Sequence, residues 1–154
     1  LAIASECPLC EVIATDTSAA ALGVAKTNAG RLGIRNVRFM EGHWCDPLPA
    51  TPFDLILSNP PYIAAHDPHL EAGDVRFEPR SALQAGDDGM EALARITACA
   101  YEYLRPGGWL VLEHGYDQGE PTTRLLQVAG YGEVSDHNDA AGLSRVSLGR
   151  HPAQ

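Results

Sequence analysis

Phe53-Asp54-Leu55-Ile56-Leu57-Ser58-Asn59-Pro60-Pro61-Tyr62 is the stretch from which this chain is read. Residues 53–57 form a short apolar run of the kind that makes a buried strand. The run stops at an asparagine followed by two prolines. Asn59 precedes a proline and is biased to extended geometry, and each proline fixes its own φ and lacks an N–H. A stiff, acceptor-rich turn at the end of a strand is the result. The Asn59 side-chain oxygen and the Pro60 carbonyl can both accept hydrogen bonds from an –NH2 group. The Tyr62 ring can lie flat against a planar partner. The pattern points to chemistry on an amide or amino nitrogen.

Upstream, Val12-Ile13-Ala14-Thr15 is a second apolar run and ends in Asp16, which predicts a strand with an acid at its carboxyl end. Thr17 or Ser18 can cap the helix that follows. Ala21, Leu22, Ala25, Ala29 and Leu32 keep helical spacing, and Gly33 offers the stop. Residues 37–41 alternate like a strand and lead into the loop Gly42-His43-Trp44-Cys45-Asp46-Pro47. The opening Leu1-Ala2-Ile3-Ala4-Ser5-Glu6 has no initiator Met and reads as the tail of an apolar helix, so a fragment lacking its upstream part is expected.

Downstream, residues 63–88 are polar and proline-bearing, a loop longer than compact domains usually carry without a purpose. A helix is expected over about 89–104, with Met90, Leu93, Ile96, Thr97, Ala100 and Leu104 inward and Arg105-Pro106-Gly107-Gly108 ending it abruptly. Residues 109–113 read as a buried strand and 119–129 as a helix stopped by Gly130. Residues 132–136 and 143–150 read as two last strands in a hairpin-like pair. Alternation of strand and helix predicts a parallel sheet covered on both faces, with ligands at the carboxyl ends of its strands. Asp16, the loop around Trp44, and Asn59 are all expected on that rim.

At 154 residues with 45% hydrophobic content, the chain suits one soluble domain. A net charge of −9 argues against a general basic surface for duplex DNA. No apolar run has the length of a membrane span, and no signal-peptide pattern opens the chain. Four cysteines in an ordinary composition fit a reducing cytoplasm rather than a disulfide scaffold. Cys7-Pro8-Leu9-Cys10 has no second pair and precedes a strand, so no metal site is assigned.

The order strand-Asp16, then Gly42-His43-Trp44, then Asn59-Pro60-Pro61-Tyr62 resembles the class I S-adenosylmethionine-dependent methyltransferases. The segment His69-Leu70-Glu71-Ala72-Gly73-Asp74-Val75-Arg76-Phe77-Glu78-Pro79, with Ala82-Leu83, Gly86, Asp88-Gly89 and Leu112-Glu113-His114-Gly115, narrows this. Together these residues resemble the bacterial release-factor glutamine methyltransferases of the HemK type, over almost the whole chain. The resemblance implies an α/β fold with a Rossmann-like doubly wound sheet, mostly parallel with an antiparallel last strand. It also implies that the first strand and glycine-rich loop precede Leu1. The fragment alone is then expected to be inactive and to bind cofactor weakly.

The implied reaction is methyl transfer from S-adenosyl-L-methionine to the side-chain nitrogen of the Gln in the Gly-Gly-Gln loop of peptide chain release factors. By the same resemblance, Asp16 binds the cofactor ribose hydroxyls and Trp44 packs beside the adenine. Asn59, Pro60, Pro61 and Tyr62 clamp the substrate amide, with Asn59 the catalytic residue and also at the cofactor. His43 stands where the family often places an acid. A cytoplasmic monomer acting on a protein, with no nucleic acid or membrane partner, is expected. The alternatives are a ribosomal-protein glutamine methyltransferase, an adenine or cytosine amino-methyltransferase with a similar turn around a flipped base, and a noncatalytic nucleotide-binding module.

Overall fold

The computed structural model describes residues 1–68, 77 and 79–153. Residues 69–76 and 78, which carry most of the Asp74–Pro79 motif together with Arg76 and Glu78, lie outside the described residues. The chain divides into two compact units, Leu1–Ala50 and Thr51–Gln154.

In the first unit, α1 (Ala2–Glu6) precedes β1 (Val12–Asp16), α2 (Ala19–Leu32) and β2 (Val37–Glu41). The two strands are parallel, with Val12 opposite Val37 and Asp16 opposite Glu41. Ser18 is the cap of α2: its Oγ accepts the Ala21 N–H at 3.2 Å. Gly33, in the left-handed region at φ 70°, ends the helix. Leu22 and Ala29 are buried. Leu32, which helical spacing groups with them, is 67% exposed. A helix of 14 residues spans about 21 Å, whereas five-residue strands span about 17 Å, so the last turn outruns the strands. The Asn36 Nδ2 donates to the Ala4 and Cys10 carbonyls at 3.0 and 2.9 Å, which fixes the segment between α1 and β1.

The second unit contains β3 (Phe53–Ser58), a 3-10 turn (Arg80–Ala82), α3 (Glu91–Tyr103), β4 (Leu104–Glu113), α4 (Gly119–Val128), β5 (Gly132–Asn138) and β6 (Ser144–Arg150). The strand order is β3-β4-β6-β5. β3 and β4 are parallel, and β6 is antiparallel to both β4 and β5. The last strand is therefore the reversed one, as expected, and it sits between β4 and β5. α3 packs on β4 and α4, and α4 packs on β5 and β6. Leu93, Ala100, Leu110, Leu112 and Leu126 are wholly shielded; each such Leu contributes about 1.5–3 kcal/mol of burial. Among the described residues, no helix is long and apolar enough to cross a membrane.

Three expectations change in detail. β3 is not a buried strand: it lies at the edge of its four-stranded sheet, and Leu55 and Leu57 are 43% and 52% exposed. Arg105-Pro106-Gly107-Gly108 does not separate helix from strand. α3 stops at Tyr103, Leu104 pairs with Phe53, and the next pair is Leu55 with Trp109, so residues 105–108 bulge out of β4. Pro106 has no N–H for a ladder, which confines it to such a bulge. The long loop after residue 62 is also tied back at once. Ile63 N–H donates to Leu83 O and Ala85 N–H to Ile63 O, each at 2.9 Å, forming a parallel bridge with Gln84.

Candidate functional site

In the first unit, Asp16 is the exposed last residue of β1. Its Oδ1 accepts the Ser18 N–H at 2.8 Å, which turns the chain into α2. Its carbonyl accepts the Gly42 N–H at 3.1 Å, which brings the loop after β2 to the end of β1. Gly42 is needed there because a Cβ would lie 2.9 Å from the Pro47 ring. Trp44 sits in the left-handed region at φ 46°, rare for a bulky side chain. Such a residue costs about 1–3 kcal/mol unless its surroundings determine it, and such residues cluster at ligand clamps. Here the Trp44 carbonyl accepts from Thr15 Oγ1 at 3.3 Å, and the Asp46 N–H donates to His43 O at 2.8 Å. The indole is half-buried and His43 is exposed. An exposed carboxylate with one oxygen used in the turn, beside a held aromatic, suits a group presenting vicinal hydroxyls and a flat ring.

In the second unit, Asn59 follows β3 and is exposed, Pro60 is buried, and Pro61 and Tyr62 are half-buried. The Asn59 carboxamide makes no hydrogen bond among the described residues and is open to a ligand. Tyr62 is held at both ends. Its hydroxyl donates to Glu113 Oε1 at 3.4 Å. Burial raises its pKa, the Glu113 carboxylate raises it further, and Arg145 opposes both, so the phenol stays protonated at neutral pH. The Tyr62 carbonyl accepts from Gln118 Nε2 at 3.0 Å. Gln118, 8% exposed, accepts the Gly115 N–H on Oε1 at 2.8 Å. Gly89 lies against this bond at φ 75°. A Cβ there would overlap the Tyr62 carbonyl oxygen and lie 2.7 Å from Gln118 Nε2.

Behind Glu113, the fully buried His114 donates from Nδ1 to the Gly115 carbonyl at 2.8 Å. Its Nε2 lies 2.9 Å from both Asp136 Oδ1 and Ser147 Oγ. Asp136 titrates below the usual carboxylate range. Burial works against its charge, but hydrogen bonds from Ser144, Ser147 and His114 outweigh that. Arg145 Nη1 donates to the His114 carbonyl at 3.1 Å. The Glu113-His114 pair thus braces the strand end behind Tyr62. Sequence reading named Asn59 through Tyr62 as candidates and quoted Gly89 only within a motif; it did not single out Gln118, Arg145 or Asp136.

Residues 1–78 match the family model described as the methyltransferase small domain. The chain is 55% identical over 152 residues to the release factor glutamine methyltransferase of Xylella fastidiosa (strain 9a5c), covering 99% of this chain and 55% of that protein. It is 53% identical over 150 residues to the enzyme of that name from Bordetella pertussis, covering 97% of this chain and 55% of the relative. The chain therefore spans about half the length of these curated relatives. A methyltransferase from Pyrococcus furiosus aligns in structure with a TM-score of 0.71 at 23% identity, over 99% of this chain and 68% of that one. That likeness shows the α/β methyltransferase fold.

Proposed function

This chain belongs to the methyltransferase small domain family, and on that premise we propose that it is the methyl-transferring domain of a release-factor glutamine methyltransferase. In this proposal S-adenosyl-L-methionine is the methyl donor and the acceptor is the carboxamide nitrogen of the Gln in the Gly-Gly-Gln loop. One observation carries the reading. At the end of β3, an exposed, unengaged Asn59 carboxamide stands next to a buried Pro60 and a Tyr62 held at both ends.

The cofactor, when bound, supplies an electrophilic sulfonium methyl. Asp16 would accept from its ribose hydroxyls, and Trp44 would wall its adenine. The donor set fits: the Asp16 carboxylate is exposed with one oxygen engaged, and Trp44 is fixed by its loop. A primary amide nitrogen is a poor nucleophile because its lone pair is delocalised into the carbonyl. The residues therefore act by orientation. Asn59 Oδ1 and the Pro60 carbonyl would accept the two N–H bonds and leave the nitrogen's remaining face open to the reacting methyl. As positive charge builds on nitrogen, those two bonds would strengthen, and the N–H proton would pass to solvent water after transfer. A bound molecule that covers these acceptors but lacks the –NH2 leaves them unpaired, at about 1–3 kcal/mol each.

The net charge of −9 supports a protein acceptor over nucleic acid. A monomer working in the cytoplasm, as one catalytic domain over residues 1–154, completes the proposal. Incubating the intact protein with labelled S-adenosylmethionine and either a peptide chain release factor or DNA tests it. Label on the Gly-Gly-Gln peptide is expected, and label on DNA alone, or on neither, refutes it.

A further inference from the structure

We infer that Gln118 is a positioning residue that sets the aim of the Asn-Pro-Pro-Tyr clamp through the Tyr62 carbonyl; this rests on the clamp proposed above. Gln118 lies 56 residues along the chain from Tyr62, on the N-terminal side of α4, and its carboxamide joins three segments. Nε2 donates to Tyr62 O at 3.0 Å and, over a longer 3.5 Å, to Asp88 O, and Oε1 accepts the Gly115 N–H at 2.8 Å. The side chain is 8% exposed, so water does not compete freely for either bond. Gly89 admits this contact, since any larger residue there would meet both the carbonyl and the amide nitrogen.

The turn is stiff within itself, because two prolines fix their own φ angles. A stiff turn moves as a body, so its direction is set where it is anchored. On the upstream side the anchor is β3, whose Ser58 pairs with Leu112. On the downstream side, Ile63 is bridged to Gln84 by backbone bonds. Between these anchors, and among the described residues, the Tyr62 carbonyl is the backbone group grasped by a side chain, and that side chain comes from Gln118. Glu113 holds the ring end of Tyr62 with a longer contact of 3.4 Å. Without the Gln118 bond the Tyr62–Ile63 peptide is still held through its N–H on Leu83 O, but its carbonyl side is released; a tilt about that remaining bond carries the Pro60 carbonyl and Asn59 with it. A displacement of 1 Å at a reacting centre costs about 10²-fold in rate.

The test is a double-mutant cycle in the intact protein, with a release factor as acceptor and kcat measured well below the melting temperature. Gln118→Glu keeps shape and still accepts the Gly115 N–H, but sets a carboxylate against the Tyr62 and Asp88 carbonyls; Gln118→Met removes all three contacts. Each is expected to lower kcat at least tenfold, with the KM for S-adenosylmethionine within twofold of the unsubstituted protein. In an Asn59→Ala background the same changes are expected to lower kcat by a clearly smaller factor, because one of the two aimed acceptors is gone. Losses that multiply independently of Asn59, or an unchanged kcat, overturn the role of Gln118. So does melting of both variants below the assay temperature, since the bond then serves the fold. No methylation by the unsubstituted protein refutes the release-factor reading itself, and this inference with it.

Discussion

Replacing Gly89 with alanine perturbs two things that can be separated by comparison with a second glycine. Gly89 has φ 75° and Gly142 has φ 82°, so alanine at either position enters the left-handed region. That conformation costs an L-residue about 1–2 kcal/mol, partly offset by about 0.4–1 kcal/mol from a less flexible unfolded chain. At Gly142 nothing lies within 4 Å of the added Cβ, so this is the whole effect. At Gly89 the Cβ overlaps the Tyr62 carbonyl and lies 2.7 Å from Gln118 Nε2. Relief requires those groups to part, which leaves a largely buried donor and an acceptor unpaired at about 1–3 kcal/mol.

Gly142→Ala should therefore destabilise by no more than about 1.5 kcal/mol. Gly89→Ala should exceed it by about 1–3 kcal/mol. Urea denaturation of the intact protein, followed by circular dichroism, reads both values, and equal m-values license the comparison. Methyl transfer should fall for Gly89→Ala and remain for Gly142→Ala. Equal destabilisation by the two substitutions would refute the argument that Gly89 is required by close approach of the turn.

Asn59→Ala should lower kcat/KM for the acceptor at least 10²-fold, about the effect of removing one preorganised hydrogen-bonding group at a reaction centre; its melting temperature should stay within about a degree because Asn59 is exposed. Asp16→Ala should weaken S-adenosylmethionine binding about 10- to 100-fold by calorimetry, from the loss of hydrogen bonds to a charged group worth about 1.5–3 kcal/mol. Asp16→Asn, which still accepts the Ser18 N–H, separates that loss from damage to the turn. Asp136 titrates below its usual 3.8 in the folded chain, so its charged form stabilises the fold above that pH. The stabilisation is lost as pH falls through the lowered folded value, so the stability gap between the unsubstituted protein and Asp136→Asn should be constant near neutrality and shrink below pH 3.8. A gap that widens on acidification in pH-stepped urea melts would contradict this sign.

The sequence by itself determined what neighbouring residues can settle. Apolar runs marked the strands, Ser18 and Gly33 bounded α2, Gly130 followed α4, and the Asn-Pro-Pro-Tyr turn was legible because prolines constrain only their own and adjacent dihedrals. Spacing also picked out Met90, Leu93, Ile96, Thr97, Ala100 and Leu104 as inward-facing; all but Met90, which is half-buried, are buried. Only the tertiary structure decided the partners of groups far apart in sequence. Gln118 meets Tyr62, Asp136 meets His114, β6 lies between β4 and β5, and residues 105–108 bulge where the strand register shifts. Hydrogen bonding is short-ranged and directional, so a glutamine's role depends on which carbonyl the fold delivers to within 3 Å. No local pattern around residue 118 encodes that.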